Sequence, residues 1–97
     1  MSCDNMISVY FFKGNIFRDS KNDNKKCGGA NSSHRVFKLN GHDANRENCK
    51  EKCGKNEDCV AFSGIWNQWC IGCDVKLTTR HRGALAFKKE SIQGRFY

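Results

Sequence analysis

Five of the chain's seven cysteines fall within the 25 residues from Cys49 to Cys73, and their spacing leaves three chemistries open: thiol redox, metal ligation and cross-linking. The run Trp69-Cys70-Ile71-Gly72-Cys73 has the outward form of a W-C-x-x-C redox motif. Redox work needs the first thiol at a helix N-terminus behind a strand, where its pKa is depressed. Here the motif falls within or just after a strand, in a chain that reads as having one helix, which argues against catalysis. Metal ligation could combine Cys70 and Cys73 with His81, or with Cys49 and Cys53, in a tetrahedral set. A second knuckle-like C-x-x-C is missing, and His34, His42 and His81 are scattered through loops and read as surface residues. No metal and no other cofactor is expected. Seven cysteines among 97 residues is a density typical of oxidising compartments, which favours cross-linking and a secreted, extracellular protein. Ser63 lacks a glycine elbow, no base stands near it in sequence, and the carboxylates gather on the expected helix, so no enzyme is expected.

These cysteines need elements to position them. Ile7, Val9 and Phe11 alternate with Ser8, Tyr10 and Phe12, which is strand periodicity. Lys13-Gly14-Asn15 carries turn chemistry, and Ile16 and Phe17 resume an extended run. Residues 18–35 are polar, contain Gly28-Gly29 and read as irregular loop. Within that loop Asn31-Ser32-Ser33 fits the acceptor pattern for N-glycosylation, making Asn31 a candidate modification site. Val36 to Leu39 reads as a short strand ended by Asn40-Gly41. A helix is expected from about Ala44 to Cys53, with Asp43 as N-cap and Gly54 as a left-handed stop. Glu47 with Lys50 and Glu51 with Lys55 are candidate surface pairs along it. Cys49 and Cys53, four residues apart, then project from one helix face. Cys59 to Ser63 reads as a strand, Gly64 to Gln68 as a bend carrying Trp66, and Trp69 to Cys73 as the returning strand. Residues 74–83 read as a second basic loop, Ala84 to Phe87 as the closing strand, and residues 88–97 as a flexible tail with Phe96-Tyr97 able to dock. One domain is expected over residues 1–97, with its core at about 7–89.

One helix bearing C-xxx-C, then Cys59-Val60-Ala61-Phe62-Ser63, then Trp69-Cys70 and a final A-x-A-F strand, resembles the PAN/apple domain family. The resemblance covers most of the chain from Ile7 to Lys89. It implies an α+β fold, a small curved antiparallel sheet packed on one helix and stapled by disulfides. It also implies the pairs Cys49–Cys70 and Cys53–Cys59, whose loop closures are worth about 3.4 and 2.4 kcal/mol in the chain-entropy model. Apple-type members often join their termini by a further disulfide. Cys3 stands where the first partner would be, yet no cysteine follows Cys73. Cys3, Cys27 and Cys73 are thus an odd set. Cys27–Cys73 is the preferred pair because it would anchor the long loop, leaving Cys3 free or linking two chains into a homodimer.

The net charge is +7 and unevenly spread. Residues 11–38 carry seven Lys/Arg against two acids and residues 75–97 carry six against one, whereas residues 39–74 carry four against six. Two basic flanks around a slightly acidic centre can form a patch for polyanions, or a merely solvated surface. No apolar run reaches the length of a signal or membrane span, and Met1 reads as standing where a removed leader had been. Nucleic acid is excluded as a partner on the absence of a recognition helix or RNA-binding pattern and on the oxidising compartment. The resemblance implies a non-catalytic adhesion module, for which the expected ligand is an extracellular protein or a sulfated carbohydrate such as a glycosaminoglycan. Candidate contact residues are Lys76, Arg80, His81, Arg82, Lys88, Lys89 and Trp66, with Lys25 and Lys26 secondary. Trp and Arg dominate binding hot spots, although Trp66 packed over a disulfide is the competing reading. A secreted structural or oligomer-forming protein, and a small secreted inhibitor or toxin, are the alternative classes.

Overall fold

The structure is a computed structural model, and it describes residues 14–28 and 32–91. The strand expected at Ile7–Phe12, Cys3, the acceptor Asn31 and the Phe96-Tyr97 end lie outside the described residues.

Among the described residues, seven strands and one α-helix follow in order: β1 (Gly14–Arg18), β2 (Lys25–Lys26), β3 (Arg35–Asn40), α1 (Arg46–Lys55), β4 (Ala61–Ile65), β5 (Trp69–Cys73), β6 (Thr79–Arg80) and β7 (Leu85–Ser91). Five strands form one antiparallel sheet in the order β1-β7-β4-β5-β3, and β2 pairs with β6 in a separate two-stranded ribbon. This is the small antiparallel α+β, disulfide-stapled architecture expected of the chain. The hairpin β4–β5 closes through Trp66–Gln68, where Asn67 takes φ 68° and Gln68 N–H donates to Ile65 O at 3.0 Å. Ala61 to Gly64 are all buried, as a strand covered on both faces must be.

The sheet register sorts side chains by face. Phe37 stands opposite Gly72, and Gly72 opposite Phe62, which in turn lies opposite Phe87. These residues meet Cys49, Cys53, Cys59 and Cys70 in the core beneath α1, with the Phe62 and Phe87 rings stacked at 4.8 Å. On the other face Ala61, Ile71, Cys73 and Ala86 pack with Cys27 and Leu77 under the ribbon layer. Ala61, Ser63 and Ala86 form a floor of small side chains there, which lets that layer approach the sheet closely. The molecule therefore has three layers: helix, sheet and basic ribbon.

Among the described residues, Cys49–Cys70 joins helix to sheet, Cys53–Cys59 ties the helix to the segment leading into β4, and Cys27–Cys73 joins ribbon layer to sheet. Cys49–Cys70 and Cys53–Cys59 form as the resemblance implied, and Cys27–Cys73 as the preferred third pair. The only buried residues of α1 are Cys49 and Cys53. A ten-residue helix is marginal alone, and this one lacks an aliphatic stripe, so its two half-cystines hold it to the sheet.

Several boundaries differ from the reading of the sequence. The helix begins at Arg46, with Asn45 as N-cap accepting from Asn48 N at 2.8 Å, instead of at Ala44 behind Asp43. Gly41 at φ +61° opens a 3-10 turn over Gly41–Asp43, and Ala44 O accepts from Asn67 N at 2.9 Å, which holds that stretch out of the helix. Gly54 is not left-handed and lies within α1, which ends at Lys55. Glu51 reaches Lys55 at 3.4 Å as expected, whereas Glu47 lies 3.7 Å from Arg46 and not beside Lys50. The fourth strand begins at Ala61, not Cys59, and includes Gly64. Gly14 is in a strand and not a turn, because it pairs with Ser91. For the same reason residues 88–91 are strand and not tail: β7 runs on past Phe87 to pair with β1.

Candidate anion-binding ribbon

The ribbon joins the two stretches that read as irregular basic loops. Its register puts Lys25 opposite Arg80 and Lys26 opposite Thr79. Both strands are only two residues long, and their hydrogen bonding is extended by Thr78 N–H to Lys26 O at 3.0 Å. Asn24 fastens the adjoining turn. In a left-handed conformation (φ 66°), it donates from N–H to Ala84 O at 2.7 Å and accepts from His81 N through its own carbonyl at 2.7 Å. Its side-chain Oδ1 accepts from Gly83 N at 2.8 Å. Asparagine tolerates this backbone region better than most residues, so one residue both makes the turn and ties it to residues 81–84.

A second fastening lies beside it. The Asp23 carboxylate accepts from Arg18 at 2.6 and 2.7 Å and from Ala86 N at 2.9 Å. The Arg18 guanidinium holds the Asp23 carboxyl below its ordinary value, the Ala86 N–H adding to this while burial opposes it. Arg18 also lies over the Phe87 ring at 5.5 Å.

The carboxylates of the ribbon layer are thus already engaged. Residues 19–28 and 74–84 contain six Lys/Arg and three acids. Asp23 is bound by Arg18, Asp74 lies 2.9 Å from His34 Nδ1, and Asp19 accepts from Asn22 at 2.7 Å. Among the described residues, no carboxylate comes within salt-bridge distance of Lys25, Lys26, Lys76, Arg80 or Arg82. Lys25 donates instead to the neutral Asn22 Oδ1 at 3.2 Å. The segment 43–58 on the helix side carries four Lys/Arg against five acids. Charge therefore separates across the sheet.

The expected contact residues divide between the two faces. Lys25, Lys26 and Arg80 are in the ribbon, flanked in sequence by Lys76, His81 and Arg82, with Lys76, Arg80 and Arg82 exposed. Lys88 stands opposite Phe17 and Ala61 on the ribbon side of the sheet but lies 3.6 Å from Glu90. Lys89 points the other way, donating to Cys53 O at 3.0 Å and Asn56 O at 2.8 Å. It closes the C-terminus of α1 and is not brought together with the ribbon cations. Trp66 packs against the helix-side core, 6.0 Å from Phe87, on the face away from the ribbon. The aromatic beside the ribbon is Trp69, which meets His81 edge-on at 4.8 Å. Strand alternation alone would have separated Trp69 from Cys70, but not said which of the two faces carried the basic layer.

Cys70 and Cys73 are bonded to different partners, Cys49 and Cys27, so the W-C-x-x-C run is not a dithiol pair. Among the described residues no group of three His, Cys, Asp or Glu side chains converges as a metal site. Comparison with protein-family models, with curated proteins and with solved structures finds no match for the chain. No helix among the described residues is long and apolar enough to cross a membrane.

Proposed function

We propose that this chain is an extracellular, non-catalytic binding module of PAN/apple type whose β2–β6 ribbon holds an anionic partner, a sulfated carbohydrate chain. The observation that carries the reading is the register Lys25 opposite Arg80. Like charges directly across a ribbon repel and are destabilising, so a structural role for that pairing is poor and a role in attracting anions explains it. The three disulfides support the extracellular part of this reading, and the engagement of Asp19, Asp23 and Asp74 elsewhere supports the anion site, because it leaves the ribbon cations without a carboxylate partner among the described residues. Retention on immobilised heparin tests it against a plain cation exchanger of matched charge density. The native chain should elute from heparin at clearly higher salt, and Lys25→Glu with Arg80→Glu should bring the two elution points together. Equal elution of the native chain from both columns refutes recognition of sulfated carbohydrate. Capture of an acidic protein segment in place of heparin would identify a protein partner for the same ribbon.

A further inference from the structure

We infer that the Cys27–Cys73 disulfide is a latch on the basic ribbon: opening it loosens the anion site while the helix-and-sheet body stays folded, and a bound polyanion in turn protects the latch from reduction. This rests on the reading of the ribbon as an anion site. The three disulfides divide their work by layer. Cys49–Cys70 and Cys53–Cys59 both anchor α1, whereas Cys27–Cys73 runs from the residue directly after β2 to the last residue of β5. Among the described residues it is the one disulfide between ribbon layer and sheet. A ribbon of two residue pairs is far below the size that stands alone, and here one of its two pairs sets Lys25 against Arg80. Asn24 and Asp23 fasten the ribbon at its turn end, to residues 81–86. Its other end is held by the disulfide and by Arg35, which donates to Cys27 O at 3.3 Å and Gly28 O at 3.1 Å. Without the disulfide that end keeps the Arg35 bonds and the Thr78 N–H to Lys26 O bond, while the Lys25–Arg80 repulsion acts one residue pair away, beside the turn.

The reaction is thiol–disulfide exchange with a dithiol. One thiolate of the dithiol attacks a sulfur of the Cys27–Cys73 bond and forms a mixed disulfide, releasing the other cysteine as a thiolate that takes up a proton. The second thiol of the reductant then displaces the remaining cysteine, giving two cysteine thiols and one cyclic disulfide. Two electrons and two protons pass from the dithiol to the protein. Both cysteines are fully buried, so exchange requires the ribbon to lift first. A polyanion bridging Lys25 and Arg80 neutralises the repulsion and holds the ribbon down. Linkage makes the coupling reciprocal: the factor by which the closed latch strengthens anion binding is the factor by which bound anion disfavours reduction.

The test uses the full chain with heparin as probe and dithiothreitol as reductant, after any free thiol has been blocked. Newly formed thiols are alkylated and located by peptide mass spectrometry. Cys27 and Cys73 should be the first pair labelled. Saturating heparin should lower the equilibrium ratio of labelled to unlabelled chain by the same factor, of order five- to tenfold, by which the double variant Cys27→Ser, Cys73→Ser loses heparin affinity. The variant should keep the native far-UV circular dichroism and the two helix disulfides. A variant that unfolds, or that binds heparin as tightly as the native chain, overturns the latch. So does native labelling indifferent to heparin. A native chain that does not bind heparin at all refutes the anion-site reading, a result seen before any reductant is added.

Discussion

The Lys89 ammonium on β7 donates to the Asn56 carbonyl at 2.8 Å, so a cation from the last strand closes the C-terminus of the only α-helix among the described residues. The same ammonium reaches Cys53 O at 3.0 Å, a carbonyl of the last helical turn that already accepts from Asn56 N. A positive charge there is favoured by the helix dipole as well as by hydrogen bonding. The pairing also binds the end of α1 to the side of the sheet that Cys53–Cys59 reaches, so a covalent and an ionic fastening act on one helical turn.

Replacing this residue by methionine, Lys89→Met, keeps the stem and removes both hydrogen bonds, and should cost about 1–2 kcal/mol in urea unfolding. A pH signature accompanies it. Burial pushes the Lys89 ammonium below its ordinary value, with Glu57 and Asp58 opposing. Between the lowered folded value and the unfolded value of 10.5, the unfolded chain binds more protons. The difference in stability between native chain and Lys89→Met should therefore widen as pH rises through that window. A constant difference would show that burial does not perturb Lys89.

Asp23 behaves in the opposite sense. Its folded-state value lies below the ordinary 3.8, so its contribution is present above that value and is lost as pH falls through the lower, folded one. Asp23→Asn should flatten that acid limb and cost about 1 kcal/mol at neutral pH, the Arg18 pair being partly exposed and screened. Equilibrium unfolding of both proteins from pH 6 down to about pH 2 checks this, using the unperturbed carboxylate range as guide. An unchanged acid limb in the variant would remove Asp23 as its source.

Gly72 is needed for space. A Cβ there would collide with the Phe37 ring, which lies across the strand from it in the sheet register. Gly72→Ala should destabilise by about 1–3 kcal/mol through overpacking. The double variant Gly72→Ala, Phe37→Leu should recover part of that loss, since the smaller side chain can yield. Thermal unfolding of the two variants decides it. An additive double variant would mean that the ring is not the obstacle.

The ribbon should show function opposing stability. Lys25→Glu converts a like-charged cross-strand pair with Arg80 into an opposite one, and should raise stability by about 0.2–1 kcal/mol while reducing retention on heparin. Loss of both stability and retention would indicate that the Lys25 stem, and not its charge, is what the ribbon requires.

Legibility in the sequence followed the range of the interactions. Cys49 and Cys53 could be assigned to one helix face because four residues make about one turn, and both are buried toward the sheet as that geometry demands. Trp69 to Cys73 was readable as a strand, and its bounds agree with the structure. The sequence points to a helix start two residues too early because Asp43 is a good cap by type. The competing signal was Gly41, whose positive φ commits the chain to a 3-10 turn first. Gly54 likewise has the composition of a helix stop, but Lys89, far along the chain, supplies the actual closure.

Taken alone, the sequence determined a cysteine-rich chain with one cysteine-bearing helix, a set of short strands and two basic flanks, because composition and the periods of helix and strand depend on near neighbours. Only the tertiary structure decided that the flanks meet. It paired Lys25 with Arg80, sent Lys89 and Trp66 to the opposite face, and put Trp69 beside His81. Two loops without hydrophobic period carry no local signal for pairing. Their register comes from Cys27–Cys73, from the small-residue floor of Ala61, Ser63 and Ala86, and from the bonds of Asn24, all of which exist only once the chain has closed on itself.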